Sequence, residues 1–139
     1  MDMNIMHLTI SAESKNEALA RACVSAFMLS ADPTVEEIND VKTAVSEAVT
    51  NSVVHAYATE KGKIDIECRF ENGYIVVTVK DYGVGIDNVE RAMQPFYTTK
   101  GEEERSGLGF TVIRSFMDDV KVYSETGGGT RVVMKKRLQ

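Results

Sequence analysis

Glu47 and Asn51 stand four residues apart in Val45-Ser46-Glu47-Ala48-Val49-Thr50-Asn51-Ser52-Val53-Val54-His55-Ala56-Tyr57, a spacing that stacks two side chains on one flank of a helix. A carboxylate above an amide is the pair that a general base and a hard-metal ligand require if a phosphate-bearing ligand lies across the helix. Taken alone, the pair reads more simply as a flank facing water. A second stretch, Asp81-Tyr82-Gly83-Val84-Gly85-Ile86, follows a carboxylate with glycines at alternate positions. Such glycines let another flat surface approach the backbone, although a strand-end turn explains them nearly as well. The third is Gly107-Leu108-Gly109-Phe110. Glycines at a helix start leave N–H groups open at the positive end of the dipole, a site for phosphate, and a tight loop-helix junction is an equal reading.

The elements that must position these residues are legible around them. Met3 to Ser11 alternates, with Met6, Leu8 and Ile10 on one side and His7 on the other, which predicts an opening strand. Ser14 with Glu17 fits a capping box, and Leu19, Ala22, Cys23, Ala26 and Phe27 predict a helical core stripe running to about Ser30. Thr34 with Glu37 makes a second capping box. It opens the long helix whose stripe is Ile38, Val41, Val45 and Ala48. Asn72-Gly73 is a two-residue hairpin signal, and counting outward pairs Phe70 with Ile75, Cys68 with Val77 and Ile66 with Val79. The opposite face carries Asp65, Glu67 and Arg69 across from Lys80, Thr78 and Val76, with Asp65 opposing Lys80.

One wet sheet face predicts an α/β two-layer sandwich with helices on the other face only. In that register Asp81 follows Val79 in phase and points under the helix layer, where a carboxylate needs a donor; an adenine amino group is one. A short helix is expected over Asn88 to Met93, then a charge-rich loop from Phe96 to Ser106, a helix with Val112, Ile113 and Phe116 as its stripe, and a closing hairpin of Asp119–Ser124 and Thr130–Lys136 across Gly127-Gly128-Gly129.

Composition narrows the classes. The chain has 139 residues, 43% hydrophobic and 27% charged, which fits one globular domain over 1–139. A net charge of -5 argues against direct nucleic-acid binding through a basic surface. No leader pattern and no apolar run near ~20 residues is found, so a cytoplasmic location away from membrane is expected. Cys23 and Cys68, isolated on apolar faces, are expected to be buried thiols.

A P-loop, a Rossmann fingerprint and the His-Arg-Asp and Asp-Phe-Gly elements of ordinary protein kinases are missing. The order that does occur is Glu-x-x-x-Asn on a helix, Asp-x-Gly-x-Gly after a strand, a loop, Gly-x-Gly at a helix start and a late Gly129-Thr130. That order resembles the Bergerat ATP-binding fold of gyrase, Hsp90, histidine kinases and MutL, with its mixed, mostly antiparallel sheet. Ser46 to Asn51 with His55-Ala56-Tyr57, Pro95 to Lys100 and Glu104 to Phe110 are similar to the anti-sigma-factor serine kinases. The likeness runs nearly end to end and is strongest to their sporulation sigma F branch.

The resemblance implies a role for each matching position. Asn51 would ligate Mg²⁺ held by the phosphates of ATP or ADP, and Glu47 would be the base that deprotonates a serine on a partner protein. Asp81 would accept from the adenine amino group, with Gly83 and Gly85 as the floor beneath the ring and Thr130 nearby. Thr98, Thr99 and Lys100 would belong to a lid, Arg105 would approach the terminal phosphates, and the N–H groups around Gly107, Leu108 and Gly109 would cradle them. Arg21 would lie on the partner-docking surface. The implied activity is that of an ATP-dependent protein serine kinase. It would hold an RNA polymerase sigma factor and phosphorylate the anti-anti-sigma protein that releases it, and it would work as a homodimer. Two alternatives stay open: the same enzyme type in a general stress pathway, and a nucleotide-gated sigma-binding switch that transfers no phosphate.

Overall fold

The computed structural model describes residues 4–57, 62–86, 89 and 108–139. Strand β1 (Ile5–Ser11) leads to helix α1 (Asn16–Met28), which tightens into a 3-10 turn at Leu29–Ala31 and stops where Asp32 turns left-handed. Helix α2 (Val35–Asn51) begins at Thr34. The Thr34 hydroxyl accepts from Glu37 N at 3.0 Å, and Glu37 Oε1 accepts from Thr34 N at 2.8 Å, the reciprocal cap expected from the sequence. Thr34→Ala should therefore lower stability by about 1 kcal/mol, read as a lower urea midpoint at unchanged slope.

Strands β2 (Lys63–Glu71) and β3 (Tyr74–Asp81) form a hairpin, helix α3 spans Leu108–Phe116, and β4 (Asp119–Glu125) and β5 (Gly129–Arg137) close the sheet. Among the described residues the sheet has five strands in the order β1-β2-β3-β5-β4, and each pairing is antiparallel. Asn72 and Gly73 both take positive φ, 53° and 86°, as a two-residue hairpin turn of that type demands. The register is the expected one, Phe70 against Ile75, Cys68 against Val77 and Ile66 against Val79.

One sheet face meets the helices. Ile64, Ile66, Cys68, Ile75, Val77, Val79 and Met134 pack with Val24, Met28, Val41, Val45, Val49 and Ile113 in one buried cluster, each large side chain contributing about 1.5–3 kcal/mol by leaving water. Burial pushes the Cys68 thiol up to about 12. The chain's two-layer α/β design is thus the predicted one.

Several local expectations give way. The Ser14/Glu17 capping box does not form: no side chain caps α1, whose cap residue is Lys15, and Glu17 instead bonds Arg21 and Ser46. The α1 core stripe is Ala20, Val24 and Met28, with Phe27 beside it, and Leu19 is exposed. Alternating apolar residues cover more than one face of this helix, and periodicity alone does not say which face a sheet will select. Cys23 is half-buried for the same reason. Val76, expected on the wet face, is only 1% exposed; it sits between Arg69 and Lys135 in the ladder, long side chains whose stems cover apolar surface. The helix expected over Asn88 to Met93 lies outside the described residues apart from Val89.

Candidate functional site

The long helix does not stay α-helical to Tyr57. After Asn51 the backbone widens into a π-helical turn, Ser52–Ala56, an irregularity frequent at functional sites. Glu47 and Asn51 lie at the C-terminal end of α2, one turn apart, and are both partly buried; Oε1 of Glu47 is shielded from solvent. The π turn places the Ser52 hydroxyl inward, where it donates to Asp81 Oδ2 at 2.9 Å.

Asp81 ends β3 and is 3% exposed. Its Oδ1 accepts from Gly83 N and from Thr130 N, each at 3.1 Å. A carboxylate offers about four lone-pair sites, so these hydrogen bonds leave capacity on Oδ2 for one further donor. The helix end, the turn after β3 and the start of β5 are tied together at this one side chain.

Glycines bring these backbones close. A side chain at Gly83 would meet Ala56 Cβ at 2.4 Å, so the turn packs directly on the π-helical segment. Gly85 (φ 81°) lies against the carbonyl of Glu125, 2.0 Å from where its Cβ would stand. Both positions permit close approach as expected, but the surfaces that approach belong to the protein itself. Ser124 Oγ accepts from Ile86 N at 2.7 Å, donates to Gly129 O at 3.0 Å and meets Thr130 Oγ1 at 2.9 Å. Thr130 is buried beside Asp81.

A second network supports the turn from below. Tyr57 Oη accepts from Tyr82 N at 2.5 Å and donates to Lys63 O at 3.0 Å; burial pushes this phenol up. The Tyr82 hydroxyl donates to Asp65, which also accepts from Thr9 Oγ1 at 2.7 Å. Those hydrogen bonds, Tyr82's foremost, hold the Asp65 carboxyl below its usual range.

Of the residues singled out in the sequence, Glu47, Asn51, Asp81, Gly83, Gly85 and Thr130 fall on the elements that meet here. Leu108 and Gly109 begin α3, the helix packed along α2. Thr98, Thr99, Lys100, Arg105 and Gly107 lie outside the described residues. Arg21 is separate, on α1, where its Nε pairs with Glu17 Oε2 at 3.1 Å, and that carboxylate also accepts from Ser46 of α2. Sequence reasoning missed Ser52 and Ser124. Ser52 continues the buried stripe of Val41, Val45 and Ala48, and a hydroxyl on a core stripe signals a buried acceptor.

Among the described residues no group of three or more His, Cys, Asp or Glu could hold a metal ion. A lone amide oxygen at Asn51 fits Mg²⁺ all the same, because this cation is usually held by few protein oxygens together with substrate phosphates. The spare acceptor capacity of Asp81 fits an adenine amino group in the same way. No described helix is long and apolar enough to cross a membrane.

Residues 10–136 match the model of the histidine kinase-like ATPase domain. The chain is 51% identical over 139 residues to the anti-sigma F factor of Clostridium beijerinckii, covering 99% of this chain and 97% of that protein. It is 51% identical over 136 residues to that of Clostridium perfringens, covering 97% of each. A crystal structure of the RsbU and RsbW domains of a Mycobacterium tuberculosis protein superimposes with a TM-score of 0.70 at 20% identity, over 98% of this chain and 32% of that one; at such identity the likeness concerns the fold. The histidine kinase domain of a blue-light activated kinase from Erythrobacter litoralis aligns with a TM-score of 0.55 and 26% identity, over 75% of this chain and 46% of that one. With the Glu-x-x-x-Asn helix joined to the buried aspartate, these matches show that the chain belongs to the anti-sigma F factors, on a histidine kinase-like ATPase domain.

Proposed function

We propose that the protein binds ATP between the end of α2 and the Asp81 turn, holds an RNA polymerase sigma factor, and phosphorylates a serine of the anti-anti-sigma protein that releases it. The observation that carries this reading is the Ser52–Asp81 hydrogen bond of 2.9 Å. It fixes a carboxylate with acceptor capacity to spare directly beneath the helix end that presents Asn51 and Glu47. The family membership supports the rest, since the relatives at 51% identity are named anti-sigma F factors.

In this reading the oxygens of Asp81 hold the adenine amino group. Gly83 and Gly85 form the floor beneath the ring, and Thr130 lines its edge. Asn51 contributes one oxygen to Mg²⁺. ATP with its metal supplies the transferable phosphoryl group and neutralises charge as that group moves. Glu47 takes the proton from the incoming serine hydroxyl. Phosphoryl transfer asks little covalent chemistry of a protein, so positioning by these residues dominates. Lys100, Thr98, Thr99 and Arg105 belong to a lid over the phosphates, with backbone N–H groups at Gly107, Leu108 and Gly109 around them. Arg21, anchored by Glu17, faces the partner, and the protein acts as a homodimer in the cytoplasm; β1, a sheet edge, is a candidate for pairing between copies.

Incubating the protein with Mg-ATP and the anti-anti-sigma partner should add one phosphate to a partner serine, read by intact mass. Sigma-factor binding without any added mass would identify a switch that transfers no phosphate.

A further inference from the structure

Serine and threonine hydroxyls inside helices commonly bond back to the carbonyl one turn earlier. Thr43 does so to Asn39 O at 2.9 Å, and Ser115 does so to Thr111 O at 2.9 Å. Thr111, on α3, does not: its Oγ1 is closed off from solvent and makes no hydrogen bond. A buried hydroxyl in that condition destabilises the protein that carries it. A partner that arrives with a ligand removes the penalty.

The pairing of α2 with α3 says where this hydroxyl lies. Lys136 Nζ donates to Asp40 Oδ2 at 2.9 Å and to Phe116 O at 3.0 Å, which sets the C-terminal end of α3 beside Asp40. Only Val35 to Asn39 precede Asp40 in α2, so α3, packed along α2, runs back toward Asn51, antiparallel to it. Thr111 is five residues before Phe116, about 7.5 Å along the axis, and is therefore level with the segment from Val45 to Glu47. Asp40, Ala44, Glu47 and Asn51 recur at helical spacing and so share the side of α2 on which Asp40 meets the Lys136 ammonium that also bonds Phe116 of α3. Side chains in a helix lean toward its N-terminus, which carries the Thr111 hydroxyl further toward Glu47 and Asn51.

We propose that Thr111 contacts the nucleotide, its hydroxyl donating to an oxygen of the terminal phosphate of ATP on the Glu47 side. This rests on the site reading given above. The contact exists with ATP and is lost with ADP, so Thr111 lets the protein distinguish the two nucleotides.

The test is calorimetry on the full chain with the Mg²⁺ complexes of ADP and of the non-hydrolysable imidotriphosphate analogue of ATP, together with melting curves without nucleotide. Thr111→Val keeps shape and removes the hydroxyl; Thr111→Ser keeps the hydroxyl. The valine variant should melt above wild type without nucleotide, since an unsatisfied buried group has gone. It should lose about tenfold in analogue affinity while ADP affinity stays within about twofold. The serine variant should bind both ligands within about threefold of wild type. Unchanged analogue affinity in Thr111→Val, an equal fall for ADP, an equal fall in Thr111→Ser, or a valine variant that melts below wild type each overturns the proposal. Wild-type protein that binds neither ligand overturns the kinase reading first and this one with it.

Discussion

Glu47→Gln is expected to bind Mg-ATP within about threefold of wild type, because an interaction made only in the transition state adds nothing to ground-state binding. Its transfer of phosphate to the partner serine should fall by about 10²–10⁴-fold, the usual share of a general base. The substitution is isosteric and sits on a helix whose core stripe is made by other residues, Val41, Val45, Ala48 and Val49, so folding is unaffected. Single-turnover phosphorylation beside ATP titration checks it. Phosphotransfer at the wild-type rate removes Glu47 from the proton-accepting role and leaves the nucleotide site intact.

Asp81→Asn tests the other end of the nucleotide. The N–H groups of Gly83 and Thr130 both point at Oδ1, and they hold the amide oxygen there and force its NH₂ group into the place of Oδ2. Ser52 can turn its hydroxyl to accept instead of donate, so the fold survives. Adenine fares worse, because its amino group now faces a donor. ADP affinity should drop by about 1–3 kcal/mol, measured by calorimetry, with far-ultraviolet circular dichroism unchanged. Wild-type affinity in this variant refutes the assignment of Asp81 to the base.

How much of this was readable beforehand depends on whether the signal is local. The β2–β3 register could be counted from Asn72-Gly73, because a two-residue turn with positive φ at both positions admits a single pairing. That count alone sent Asp81 to the helix side of the sheet, and it lies there at 3% exposure. The Thr34/Glu37 cap was equally legible, since both partners are within one turn. The Ser14/Glu17 pair has the same local spelling and fails, because Arg21 and Ser46 compete for the carboxylate. Ser46 arrives from another helix, and no local pattern announces it.

By itself, then, the order of residues determined the strand pairing around the tight turn, the caps with no rival, and the linear order of carboxylate, amide and glycines on which the proposed nucleotide site rests. Tertiary structure alone decided which face of α1 enters the core, that α2 loosens into a π turn at Ser52, and that Gly83 and Gly85 admit the chain's own Ala56 and Glu125. The physical reason is range. Turns and caps close within a few residues and are dictated by backbone sterics and nearby hydrogen bonds. Helix rotation, π-bulging and backbone contact are settled by partners far along the chain, and a carboxylate such as Asp81 acquires its donors, from Ser52 to Thr130, only after those partners have met.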